Sequence, residues 1–266
     1  MAAARSSLLK RRRSSESSSS LFIFVIPGLP EIRRGDDLAA IIARAARRAN
    51  LELQDSDILV VAQKIISKAE GRTLSLSKVR ASARAAALAK QLSRDPRFIE
   101  VVLRESRRIL RSERVLIVET HHGFVCANAG VDHSNVSGRE SVTLLPKHPD
   151  RSARHLAAAL RKKTGKRLAV IISDTFGRPW RLGLTNVAIG ASSVPALLDL
   201  RGKRDRHGRL LRATVLAIAD ELASAAGLLM GKAAGNPVVV IRGFRHRPAQ
   251  VPAASIVRPA REDLFR

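Results

Sequence analysis

The pattern that narrows the fold furthest is an alternation of strand-length apolar runs with longer stretches whose apolar residues recur at helical spacing. Residues 21–26, 57–62, 168–173 and 237–241 are the apolar runs. Between them, Asp36 and Asp37 stand where helix caps belong, ahead of a helix over 38–49. Two Ala-, Arg- and Leu-rich helices are predicted over 77–93 and 96–110, the second opened by Pro96 in its first turn. Residues 115–119 and 123–126 read as a short hairpin, and further helices are predicted over 152–163 and 214–230. This alternation predicts a mixed α/β (α+β) fold. No internal repeat is present.

The first 20 residues hold Lys10, Arg11, Arg12 and Arg13 followed by a Ser-rich run, without apolar periodicity. They read as a disordered basic tail, with a transit peptide as the alternative. Residues 21–244 form the expected folded domain and 245–266 an extended C-terminal tail. No apolar run approaches the roughly 18 residues needed to cross a bilayer, so no membrane partner is expected.

Charge sets the next limit. The chain carries 48 Lys and Arg against 23 Asp and Glu, a formal charge of +25. That excess points to anionic partners but does not separate RNA from a nucleotide. The basic residues are spread along the chain, and aromatic residues make up 3% of it with no Tyr. Both facts count against a nucleic-acid binder built on a basic stripe or on stacking rings. A single cysteine, Cys126, rules out a disulfide framework and a thiolate-rich zinc site, and it agrees with a reducing cytoplasm.

Several residue groups could carry chemistry. The apolar run at 168–172 leads into Ser173, Asp174 and Thr175. A carboxylate and a hydroxyl at a strand's C-terminal edge are hard oxygen donors suited to Mg²⁺ or Mn²⁺, and equally suited to capping a helix. Asp132 lies in an Asn- and Gly-rich loop over 127–135 and could share that metal or simply close an Asx-turn. Lys64 and Lys68, four residues apart, fall on one helical face, where they would neutralise a phosphate or remain solvated. Asn128 and Asn135 offer amide donors, and the turn at Gly28, Leu29, Pro30 and Glu31 could bring backbone close to a ligand. Asp220 and Glu221 lie in an apolar helix where a buried acid needs a partner, expected to be Arg, with contact to the site as the alternative. Trp180, between Arg178 and Arg181, has the composition of a flat-ligand platform or of a partly buried Trp.

Other chemistries lack their motifs. Gly231-Lys232 is not a Walker loop, because positions 226 and 233 are both Ala. His121, His122, His133 and His148 are too irregularly spaced for zinc, and there is no G-x-S-x-G elbow.

Taken together, the ordered motifs resemble the coenzyme F420-0:L-glutamate ligase (F420-0:gamma-glutamyl ligase) family. They are Gly28-Leu29-Pro30-Glu31-Ile32, the run from Gln63 to Gly71, the loop at 127–136, the stretch 173–181, Asp199-Leu200-Arg201-Gly202 with Asp205, and Ala219-Asp220-Glu221-Leu222. The resemblance implies a two-lobed fold with 21–244 as its catalytic domain, and a GTP-dependent ligation of L-glutamate onto coenzyme F420-0. Carried over by position, Asp132, Asp174 and Thr175 would bind Mn²⁺ or Mg²⁺. Leu29, Pro30, Glu31, Ile32, Gln63, Lys64, Lys68 and Asn135 would contact the guanine nucleotide. Asp132, Asp174 and Lys68 would serve the catalytic step, with K⁺ as a further ion. A second nucleotide and metal stretch would fall near 230–235, where this chain has Lys232. The resemblance also implies a cytoplasmic homodimer. Two rival readings of the residues are a basic nucleic-acid-binding protein and a metal-dependent phosphohydrolase.

Overall fold

In the computed structural model the described residues are 20–133, 140–231, 234–246, 248 and 251–263. Along the chain they form β1 (Phe22–Val25), α1 (Leu38–Arg48), β2 (Ile58–Ala62), α2 (Gln63–Ala69), β3 (Thr73–Ser75), α3 (Ala83–Leu92), α4 (Pro96–Arg104), β4 (Ser106–Arg111), β5 (Ile117–Thr120) and β6 (Val125–Ala127). Then come β7 (Asp132–His133), β8 (Ser141–Thr143), α5 (Pro149–Thr164), β9 (Ala169–Arg178), β10 (Arg181–Ser192), β11 (Leu198–Asp199), β12 (Val215–Leu216), α6 (Ile218–Met230) and β13 (Val238–Arg242). The fold is mixed α/β, as the alternation predicts.

The main sheet has the order β1-β13-β2-β9-β10, with β2 and β9 parallel and every other neighbouring pair antiparallel. Leu59, Val61, Val170, Ile172, Val238 and Val240 face α1 and α5. Ile58, Val60, Ala169, Ile171, Val239 and Ile241 face α6. Central strands covered on both faces must be apolar at every position, which is why they read as unbroken runs. Each such side chain removed from water contributes roughly 1.5–3 kcal/mol.

A second lobe packs Phe98, Ile99, Val101 and Val102 of α4 against Ala85 and Ala89 of α3 and against Leu116, Val118, Ala129 and Val142. Its small sheets are β4-β5-β6 and β3-β8-β7. Here the helix expectations over 77–93 and 96–110 need correcting. The first helix starts only at Ala83, because Ser82 caps it by accepting a hydrogen bond from the Ala85 amide, while Leu76–Lys78 form a 3₁₀ turn. The second stops at Arg104, and Ser106–Arg111 form an edge strand whose Arg107 and Arg108 pair with Glu119 on β5. A cross-strand ion pair decides that segment, and local composition does not reveal it.

Three further boundaries differ. The 127–135 loop contains a 3₁₀ turn, Asn128–Gly130, and the short strand β7. Helix α6 begins at Ile218, since Val215–Leu216 pair with β11. The C-terminal segment, expected to be extended, folds into the 3₁₀ turn Ala253–Ile256 with Ala253 fully buried. Asp150 fastens it, accepting from the Ala191, Ala253 and Ala254 amides. The basic tail falls almost wholly outside the described residues.

Gly190 is a tight joint between helix and sheet. A Cβ there would stand 2.5 Å from the carbonyl carbon and oxygen of Pro149, so only glycine lets the start of α5 rest on β10.

Candidate active site

The site grows from the one parallel strand pair of the main sheet. Ala62 and Ser173 are the last residues of β2 and β9 to face each other, and α2 begins immediately at Gln63. The carboxyl ends of parallel strands are where open α/β sheets place ligands. A cavity of 610 Å³ opens there.

Its walls include Leu29, Pro30, Glu31, Ile32, Gln63, Lys64, Lys68, Asp132, Asp174 and Thr175. Seven separate segments thus converge on one space: the turn after β1, the start of α2, the entry to β7, the middle of β9, β10, the end of α6 and the approach to β13. Asn135 and Lys232 lie outside the described residues, so the placement of those two stays an expectation.

Asp174 and Thr175 lie within β9, rather than at a strand end as the sequence suggests, and they do not cap a helix. After Ser173 the strand leaves β2 behind and continues paired with β10 alone, Asp174 opposite Val187 and Thr175 opposite Asn186. The carboxylate therefore stands at the edge of the parallel pair while its own backbone remains in a ladder.

Asp132 arrives from the second lobe by an unusual route. Asn128, Ala129 and Gly130 all have positive φ, at 51°, 55° and 68°. The two non-glycine residues in this left-handed conformation cost about 1–3 kcal/mol each, offset by burial of Ala129 in the lobe's core. A Cβ on Gly130 would come within 2.9 Å of the Leu145 side chain. The loop is thereby held in one shape, and β7 delivers Asp132 opposite Thr143.

The site's charges meet in pairs. The Lys64 Nζ is 2.9 Å from an Asp132 oxygen, and the Lys68 Nζ is 2.6 Å from a Glu31 oxygen. Both lysines project from α2 one turn apart, as their spacing predicts. The Lys64–Asp132 pair is more than two-fifths exposed on both sides, so it contributes under about 1 kcal/mol and can be exchanged for a ligand at little cost. Gln63 is buried and its Oε1 accepts from the Ser67 hydroxyl at 2.9 Å. Its Nε2 has no partner among the described residues. A buried, unanswered donor beside a cavity suits an acceptor oxygen on a ligand.

Asn186 is a wall residue that the sequence reading missed. Its Oδ1 accepts from the Thr175 hydroxyl at 3.3 Å. Gly227 of α6 makes room for it, since a Cβ there would lie 3.0 Å from the Asn186 Cγ. Only the register of the β9–β10 hairpin could have revealed it.

Other singled-out residues lie elsewhere. Asp220 accepts from the Ala188 amide at 2.8 Å rather than from an arginine, and burial raises its pKa. It lines a different cavity, of 290 Å³, beside Phe124 and Phe176. Trp180 is 86% exposed at the tip of the β9–β10 hairpin and does not line the 610 Å³ cavity. Burial, reinforced by the charge of Asp174, pushes the Cys126 thiol up to about 12 and leaves it inert.

Among the described residues, no group of three or more His, Cys, Asp or Glu side chains forms a metal cage. Besides Glu31, which faces Lys68, the cavity offers the carboxylates of Asp132 and Asp174 and the hydroxyls of Ser173 and Thr175, all hard oxygen donors. That donor set suits Mg²⁺ or Mn²⁺ completed by phosphate oxygens and water, and it does not suit zinc.

A family model described as F420-0:Gamma-glutamyl ligase matches residues 28–243. A coenzyme F420:L-glutamate ligase of Methanothermobacter thermautotrophicus is 44% identical over 245 residues, covering 91% of this chain and 97% of the relative. The enzyme of the same name from Methanopyrus kandleri is 45% identical over 253 residues, covering 93% and 98%. That from Methanocaldococcus jannaschii is 44% identical over 220 residues, covering 82% and 88%.

Proposed function

The chain belongs to the F420-0:gamma-glutamyl ligase family, and from that premise we propose that it joins L-glutamate to coenzyme F420-0 by an amide, with γ-linked amides for any further glutamates, at the expense of GTP. The observation that carries this reading is the meeting of Lys64, Lys68, Asp132 and Asp174 around one 610 Å³ cavity at the carboxyl end of the parallel strand pair.

A carboxylate resists attack by an amine, so it must first be activated. In the proposed reaction the F420-0 carboxylate oxygen attacks the γ-phosphorus of GTP, and GDP leaves with the electrons of the broken P–O bond. The amine of glutamate then attacks the acyl carbon, the tetrahedral adduct expels inorganic phosphate, and the amine gives up a proton. The protein's part is positioning and charge compensation. Lys64 and Lys68 would leave Asp132 and Glu31 to meet phosphate oxygens. Gln63 would donate its unanswered Nε2–H to the nucleotide, and the turn from Leu29 to Ile32 would form the wall beside it. Asp132, Asp174 and Thr175 would hold Mn²⁺ or Mg²⁺, which when bound neutralises phosphate charge.

The proposal extends to a homodimer in the cytoplasm. The hairpin tip exposes Trp180, Leu182 and Leu184, and nearby α6 exposes Leu228. An apolar patch of that kind marks an interaction surface. Among the described residues no helix is long and apolar enough to cross a membrane.

The test is incubation with GTP, Mn²⁺, L-glutamate and F420-0, followed by mass spectrometry, with K⁺ titrated in the same assay. A product heavier by one or more glutamate residues is expected. Phosphate release from GTP without either acceptor, and no mass gain, would replace ligation with phosphohydrolysis.

A further inference from the structure

We propose that a second cavity, at the opposite end of β9, is a binding site for a small molecule carrying clustered phosphates. The cavity measures 830 Å³, within the range of small-molecule sites. Arg154, Arg161 and Lys162 of α5 line it together with Arg167, which enters from the turn before β9, and Ser192 and Ser193 at the end of β10. No Asp or Glu is among the described residues of its wall.

The α5 cations sit at positions i, i+7 and i+8, one face of a helix. Acids exist in this region, but other groups hold them. Lys163 pairs with Asp37 at 3.0 Å, Lys166 approaches Glu52 at 3.7 Å, and the amide of Arg167 donates to Asp55 at 2.6 Å. The four cavity cations have no ion-pair partner among the described residues, unlike their chain neighbours Lys163 and Lys166.

Like charges gathered in a concave surface repel one another and focus a positive potential, and a bound anion relieves both effects. Guanidinium forks match the paired oxygens of a phosphate, and serine hydroxyls can supply neutral donors. No Phe or Trp lines the space, and the His246 ring on its wall already lies against the Phe244 and Ser193 carbonyl oxygens, so recognition would rest on the phosphates. A nucleic acid needs an extended basic stripe, and these four cations gather around a single hollow instead. The inference does not depend on the ligase reading.

Titration calorimetry on the full chain tests it, with inorganic tripolyphosphate and GTP as separate probes. Lys64→Met and Lys68→Met are introduced first, to weaken triphosphate binding at the other cavity. Tripolyphosphate binding is expected to persist in that background. It should fall by roughly tenfold or more per guanidinium when Arg154→Gln, Arg161→Gln and Arg167→Gln are added. Equal affinity for the two probes would identify bare phosphate groups as the ligand, and tighter GTP binding would identify a nucleotide. Unchanged tripolyphosphate binding in the glutamine variant overturns the proposal. So does random-sequence RNA that binds more tightly than tripolyphosphate and is lost in the same variant. The three arginines are exposed, so circular dichroism should stay native, and Lys162→Gln alone is the milder control. In the otherwise native chain the glutamine variant should keep its basal activity.

Discussion

The two ends of β9 carry opposite electrostatic designs. At the end beyond Ser173, cations and anions alternate in space, and Lys64 and Lys68 each face a carboxylate. At the end around Ala169, four cations share a hollow whose described wall holds no acid. A net charge of +25 describes neither end. What matters chemically is pairing: a paired lysine is an exchangeable contact, while an unpaired cluster is a standing attraction for anions. About five residues of strand, roughly 17 Å at the usual rise, separate the two.

The hardest test of that contrast removes an acid from the first end. Asp174→Ala should lower glutamate ligation by roughly 10³-fold, because charge compensation at a transferring phosphoryl group is the largest single contribution available to the site. The melting temperature should stay near that of the parent, since the backbone of Asp174 remains in the β9–β10 ladder. The matching change at the other end, Arg161→Gln, should leave turnover untouched. Equal activity losses at both ends would erase the distinction.

The two ends keep their separation only if β10 keeps its place on α5. Gly190→Ala sets a methyl group 2.5 Å from the Pro149 carbonyl, a backbone contact that cannot rotate away. A loss of about 3 kcal/mol, at the upper end of overpacking costs, is expected in urea unfolding. A neutral result would show that α5 slides freely on the sheet.

The unequal legibility of the two ends has a physical cause. The core strands were readable because burial on both faces forces an unbroken apolar run, as at 58–62 and 168–172. Lys64 and Lys68 were readable because their spacing alone places them on one helical face. Asp132 and Asp174 were readable as candidate oxygen donors, but only the chain's path brings them to one cavity. Asn186, β4 and the docked C-terminal segment were not readable. Each depends on a partner far along the chain: Thr175 across a hairpin, Glu119 across a strand, and Asp150 roughly 100 residues away. The basic hollow was hidden for the same reason, since Arg154 and Arg167 look like two more solvated arginines until the fold sets them around one cavity.

A gentler change sharpens the contrast at the paired end. Lys64→Met removes a cation whose partner, Asp132, is itself two-fifths exposed, so folding stability should change by less than about 1 kcal/mol. The Michaelis constant for GTP should nevertheless rise roughly tenfold, the value of a hydrogen bond to a charged group. Steady-state kinetics at varied GTP, alongside thermal melting, separates the two. A lysine whose loss lowers stability and leaves GTP kinetics alone would be a structural pair, and the first end would then resemble an ordinary surface.

The smallest effect comes from neither end but from the seam between the lobes. The ring of His122 stacks on Phe124 at 5.5 Å, and its Nε2 lies 2.9 Å from the Pro146 carbonyl oxygen, to which it can donate. Its Nδ1 is buried without a partner among the described residues, so a second ring proton there would find no acceptor. Burial accordingly lowers its pKa below the usual histidine value, although the Pro146 and Lys147 carbonyls pull the other way. The unfolded chain then binds the proton more tightly than the folded one. Stability from this group is complete above the ordinary value of about 6.5 and declines as pH falls through it towards the lower folded value. Urea midpoints of the parent and of His122→Phe, compared at about pH 7.5 and about pH 5.5, isolate that slope from the other titrating groups. A parent and a variant that lose equal stability between the two pH values would show that the seam admits the proton freely, and that the pH response belongs to the charged ends instead.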